Sequence, residues 1–196
     1  MLLATTLLAL AVSGPGATTG GSGHDADTVG IVTLLLKDFL GARGEAPEGS
    51  YLVVVAETLV ICPPDGGEGD PFSVAAAIRE PDLDVEVPQS MRRSLLCDQE
   101  VGMLPTANLE NARVVLSSEI DAIFTGDGWW DEFYKTFPGS RGFLQFSAIA
   151  YSDDGKQAFL YASHSCGGLC GTGWIVSLSL RGERWQVASK RMLWIS

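Results

Sequence analysis

Apolar positions recur with helical spacing in Ala26–Leu40, where Val29, Val32, Leu36 and Phe39 share one side and Leu35 and Leu40 widen the stripe. The pattern predicts an amphipathic helix, capped by Asp25 or Asp27 and ended by Gly41 and Gly44. Tyr51–Ile61 is β-rich and mostly apolar, which predicts a strand buried on both faces and stopped by Cys62-Pro63-Pro64. Residues 63–111 carry a weaker pattern. The expectations there are a short helix over Phe72–Arg79, an acidic-apolar edge strand over Pro81–Val87, and a helix over Pro88–Cys97. Ala112–Ser118 reads as a strand. In WWDEFYKTF, Trp130, Phe133, Tyr134 and Phe137 line one face of a helix that Asp127 can cap and Pro138-Gly139 ends. Asp131 and Glu132 suit the positive end of its dipole.

The period changes to two in the last third. Phe143–Tyr151 places Leu144, Phe146, Ala148 and Ala150 on one face, and Ser152–Gly155 is turn chemistry. Gln157–Ser163 sets Ala158, Leu160 and Ala162 against Phe159 and Tyr161. Trp174–Leu180 sets Trp174, Val176, Leu178 and Leu180 against Ser177 and Ser179. After the Arg181-Gly182-Glu183 turn, Trp185–Ile195 sets Val187, Leu193 and Ile195 opposite Lys190. Helices ahead of such strands give an α+β fold: an antiparallel sheet ending in a four-stranded meander, packed against a few helices. Residues 27–196 are expected to form one domain, since 196 residues suffice for one core and no internal repeat is present.

The remaining N-terminal residues read differently. Leu2–Val12 is an apolar run too short to span a bilayer, and Ala11-Val12-Ser13 gives a small-x-small cleavage site. Residues 1–13 are expected to be a signal peptide, although no Lys or Arg precedes the run, and 14–26 a flexible linker. No cysteine lies near the cleavage site to carry a lipid, so no stable membrane anchor is expected after cleavage. The destination is periplasmic or extracellular. A net charge of −11 repels phosphate backbones, so nucleic acid is not an expected partner. An unknown protein or small-molecule ligand is.

The four cysteines fit an oxidising compartment. Four allow three connectivities. Proximity favours Cys166 with Cys170, and hence Cys62 with Cys97. On chain-entropy reasoning the long loop contributes roughly 4 kcal/mol and the short one roughly 2.

The short pair sits in HSCGGLCGTGW, His164–Trp174, the densest chemistry in the chain. With the aromatic helix, the following PGS and the terminal LWIS, this CGGLCG segment makes residues 129–196 resemble a recurring type of exported bacterial protein of unassigned function. The resemblance implies a fold and an envelope or secreted setting, and no catalytic residue. The segment is also similar to the copper loop of cytochrome oxidase subunit II in Cys166, Cys170 and Gly171. However, Trp174 and Ser177 stand where that loop requires ligands.

A mononuclear copper or zinc site would draw on His164, Cys166 and Cys170, and zinc would want a fourth ligand. A redox pair usually has two intervening residues and a helix N-terminus behind it, and this pair has neither. Ser163 and Ser165 flank His164 but point to the opposite face of a strand, and no Gly-x-Ser-x-Gly elbow is present. Asp131 and Glu132 beside Trp129 and Trp130 read as a helix surface rather than as glycosidase carboxylates. Gly167–Gly173 lacks the lysine of a phosphate loop.

The expectation is therefore a binding or interaction module with no catalytic residue, cofactor or metal. Its surface would be His164, Gly167, Gly168, Gly171, Gly173 and Trp174, with Cys166–Cys170 as a staple. The alternative is a thiol-redox or copper/zinc protein using His164, Cys166 and Cys170.

Overall fold

The computed structural model describes residues 24–42, 44–61, 101–106 and 109–196. The expected signal peptide, linker residues 14–23, the elements expected between 72 and 97, and the Cys62–Cys97 pair lie outside them.

The described elements run α1 (Asp25–Gly41), β1 (Tyr51–Val55), β2 (Ala112–Val115), α2 (Ser117–Phe124), α3 (Trp129–Thr136), β3 (Ser140–Phe146), β4 (Ala150–Tyr151), β5 (Gln157–Ser165), β6 (Gly171–Arg181) and β7 (Arg184–Ile195). One sheet of seven strands has the order β2-β1-β3-β5-β6-β7, with β4 also paired to β5. β1 runs parallel to β2 and β3, and the other pairs are antiparallel. The fold is α+β, and β3 to β7 are the meander that the alternation predicts.

The two faces carry separate cores. Ile31, Val32, Leu35, Leu36 and Phe39 of α1 pack on Leu144, Leu160, Val176 and Leu178. On the opposite face Ile120 of α2, Phe133 of α3 and Phe137 just after it pack on Val53, Val55, Val115 and Phe143. β1 lies between them. Leu52 and Val54 face α1, Val53 and Val55 face the aromatic cluster, and all four are essentially inaccessible. That explains its continuous apolar run.

Several expectations are corrected. The strand expected to reach Ile61 stops at Val55. Beyond it, Glu57 takes the N–H and hydroxyl of Ser117 at 2.8 and 3.1 Å, and Thr58 exchanges hydrogen bonds with Gly102. These partners draw the backbone out of the ladder. The strand expected over Phe143–Tyr151 is split, because the buried Ser147 hydroxyl accepts the Tyr161 N–H in place of a backbone carbonyl. Ala112–Ser118 is strand only to Val115, and the unexpected helix α2 follows. Glu119 there reaches back to the Leu116 N–H, half of a capping box. Asp127 does not cap α3, which starts from Gly128 without a side-chain cap. α1 begins at Asp25, inside the expected linker, and His24 stacks on Tyr151 with ring centroids 4.2 Å apart.

The correction that matters most for function is in β7. Its pairing with β6 shifts twice, between the Gly173–Trp194 and Trp174–Met192 pairs and between Ser177–Ser189 and Leu178–Val187. Each shift leaves one β7 residue, Leu193 or Ala188, without an opposite number. A one-residue slip exchanges the faces of a strand. Lys190 consequently pairs with Val176, on the α1 face, and Val187 shares that face instead of opposing it.

Candidate functional site

The α1 face is not filled to its end. Between the C-terminal turn of α1 and the ends of β5, β6 and β7 lies a pocket of about 220 Å³. Phe39 of α1 and Ala42 just past its end form one wall. His164, Thr172, Trp174, Lys190, Met192 and Ile195 form the floor and far side, and Cys166, Cys170 and Gly171 close the end. Register explains the convergence: His164 pairs with Thr172, Thr172 with Ile195, and Trp174 with Met192, so one face of three adjacent strands supplies the floor.

Cys166 and Cys170 form a disulfide with Cα atoms 5.0 Å apart. The backbone supports it: the Cys166 N–H donates to the Cys170 carbonyl at 2.7 Å, and the Tyr134 hydroxyl of α3 donates to the Cys166 carbonyl at 2.9 Å. Gly142 meets this loop at φ 97°, and a Cβ there would collide with the Ser165 carbonyl, so only glycine fits. With both sulfurs joined, neither is a thiolate ligand. Among the described residues, no three His, Cys, Asp or Glu side chains gather as a metal ion would need.

His164 is buried and packs against Phe39 at 5.7 Å. Its Nε2 lies 2.8 Å from the Arg141 carbonyl. A carbonyl only accepts, so Nε2 carries the proton, and the ring is anchored between β3 and α1.

Lys190 is the residue that sequence alternation missed. Its ammonium lies 4.5 Å from the Trp174 ring centroid and 5.3 Å from that of Phe39, and it is ion-paired to Asp38 of α1. Two aromatic faces and a carboxylate thus hold one cation at the pocket wall. Met192, Thr172, Ile195, Phe39 and Ala42 were missed as well. The helical wall had no local signal, because only tertiary packing brings α1 to this end of the sheet.

Of the residues expected at the site, His164, Gly171 and Trp174 line the pocket together with Cys166 and Cys170. Gly167, Gly168 and Gly173 do not. Gly173 faces the other side, where the Trp194 indole lies across it and donates to the Tyr161 hydroxyl at 2.9 Å. Its lack of a side chain serves packing rather than a ligand. Burial raises the pKa of Tyr161 against this hydrogen bond, keeping the phenol neutral.

Among the described residues no helix is long and apolar enough to cross a membrane. No protein-family model, curated protein or solved structure matches the chain.

Proposed function

We propose that the protein is an exported binding module that takes a ligand into the pocket at the C-terminal end of α1. The observation that carries this reading is the convergence of His164, Trp174, Lys190 and the Cys166–Cys170 disulfide on one mostly apolar cavity beside the α1 core. Pockets lined by aromatic side chains with a few placed polar groups are the usual form of a small-molecule site. The cysteine usage, the N-terminal apolar run and the resemblance of residues 129–196 to exported bacterial proteins support a periplasmic or extracellular setting. The disulfide acts as the rigid end wall.

The test is a titration with indole, followed through the tryptophan indole resonances. Saturable binding that disappears in Ala42→Phe, with the thermal midpoint kept, supports the reading. Binding that survives filling of the pocket sinks it.

The second reading is a thiol-redox or copper/zinc site on His164, Cys166 and Cys170, which line the same pocket without gathering as a metal ion would need. Alkylation without reductant separates the two. Unmodified Cys166 and Cys170 support the staple. Rapid labelling of either, or copurified copper or zinc, supports the rival.

A further inference from the structure

We infer that the pocket selects a small organic anion, one negative head on an apolar, ring-sized body. The inference rests on the binding role proposed above and adds the ligand's charge and shape.

The chain carries 24 acidic and 13 basic side chains. Yet among the described residues no aspartate or glutamate lines the pocket, and Lys190 is the one Lys or Arg in its wall. The Lys190 side chain is only 22% exposed, and its ammonium and the Asp38 carboxylate meet at the open side of the pocket wall. An ammonium has three donors, and among the described residues Asp38 is the one hydrogen-bond acceptor that takes from it. The faces of Trp174 and Phe39 stabilise the charge without accepting as a carboxylate would. An anion can therefore bond to Lys190 while Asp38 stays in place. The Thr172 hydroxyl, half-buried in the same wall and without a hydrogen-bond partner among the described residues, offers a neutral donor.

A cation is disfavoured on the same geometry. It would meet the Lys190 charge inside an apolar wall, and the two aromatic faces that could hold it are already covered by that ammonium. The body of the ligand follows from the rest of the lining, Phe39, Ala42, Met192 and Ile195. About 220 Å³ is more than the roughly 150 Å³ that admits benzene, so one ring or two fused rings fit.

Three probes share a ring and differ in charge: indole-3-propionate, 3-methylindole and tryptamine. Each is titrated into the oxidised full chain and followed at the Trp174 indole N–H. A charge-assisted hydrogen bond predicts that the acid binds about tenfold tighter than the neutral probe and that the amine binds weakest. Lys190→Met brings the acid to within about twofold of 3-methylindole, Lys190→Arg keeps the preference, and Asp38→Asn tightens the acid several-fold by removing a competing carboxylate. Equal binding of acid and neutral probe, a preference for the amine, or a preference that survives Lys190→Met overturns the inference and leaves the binding role standing. If none of the three binds saturably to the folded chain, the binding role and the inference fall together.

Discussion

At its N-terminal end α1 is tied to the sheet through side chains. Asp27 accepts from the Trp185 indole at 3.0 Å, Thr28 and Tyr151 share a hydrogen bond of 2.9 Å, and His24 covers the Tyr151 ring. At its C-terminal end the same helix meets the same face, again through an aspartate bonded to β7, Asp38 to Lys190. There the space between helix and strands stays open. The chain has the means to fill such a gap, since it does so 11 residues earlier on the helix with a tyrosine and a tryptophan. Protein interiors are close-packed by default, so this difference between the two ends is what the proposed binding role rests on. The disulfide and the anchored His164 hold that end in shape without filling it.

Trp185→Ala empties the N-terminal end, where the indole is only 9% exposed, and should cost about 3 kcal/mol in denaturant unfolding. Trp174→Ala at the open end should cost about half as much, because part of its surface is already unpacked. Equal losses would mean that the two ends are equally packed. Replacing Cys166 and Cys170 together by alanine removes a five-residue clip and should cost about 2 kcal/mol on chain-entropy reasoning. Probe affinity should fall as well, because the end wall loosens. Thr28→Val removes one hydrogen bond from Tyr151 and should cost about 1 kcal/mol, with no effect on probe binding.

A pH series sharpens the contrast. Burial raises the Tyr151 pKa above its ordinary value of 10.0, the Asp27 and Asp25 charges add to it, and the Thr28 hydrogen bond opposes it. The neutral phenol is thus favoured by folding. Its contribution is complete below the ordinary value and is lost as pH rises through the folded one. The stability difference between the natural chain and Tyr151→Phe should therefore shift against the natural chain above about pH 10. The smallest stability effect belongs to Lys190→Met, which should change unfolding by no more than about 1 kcal/mol while altering ligand choice.

Much of this was legible in the sequence. The 3.6-residue stripe of Val32, Leu36 and Phe39 and the strict alternation of Trp174, Val176 and Leu178 each answer to one buried face, so pattern and packing agree. That His164, Cys166, Cys170 and Trp174 lie close together was readable because they are local in sequence. Lys190 was not, because the irregularities at Ala188 and Leu193 reverse the parity of β7 and leave no mark in composition. α2 escaped because its N-terminus is held partly by Glu57, 60 residues away, and it buries one large residue, Ile120. Gly173 was misread for a related reason: its partner Trp194 is distant in sequence and close only across the sheet.

The most direct test of the open end as a binding site is the pair of indole N–H resonances of Trp174 and Trp185 during titration with indole-3-propionate. The two residues sit at opposite ends of one helix on one face of one sheet. Saturable movement of the Trp174 signal, with the Trp185 signal fixed on Asp27, is the predicted result. Movement of Trp185 alone, equal movement of both, or no movement of either would contradict it.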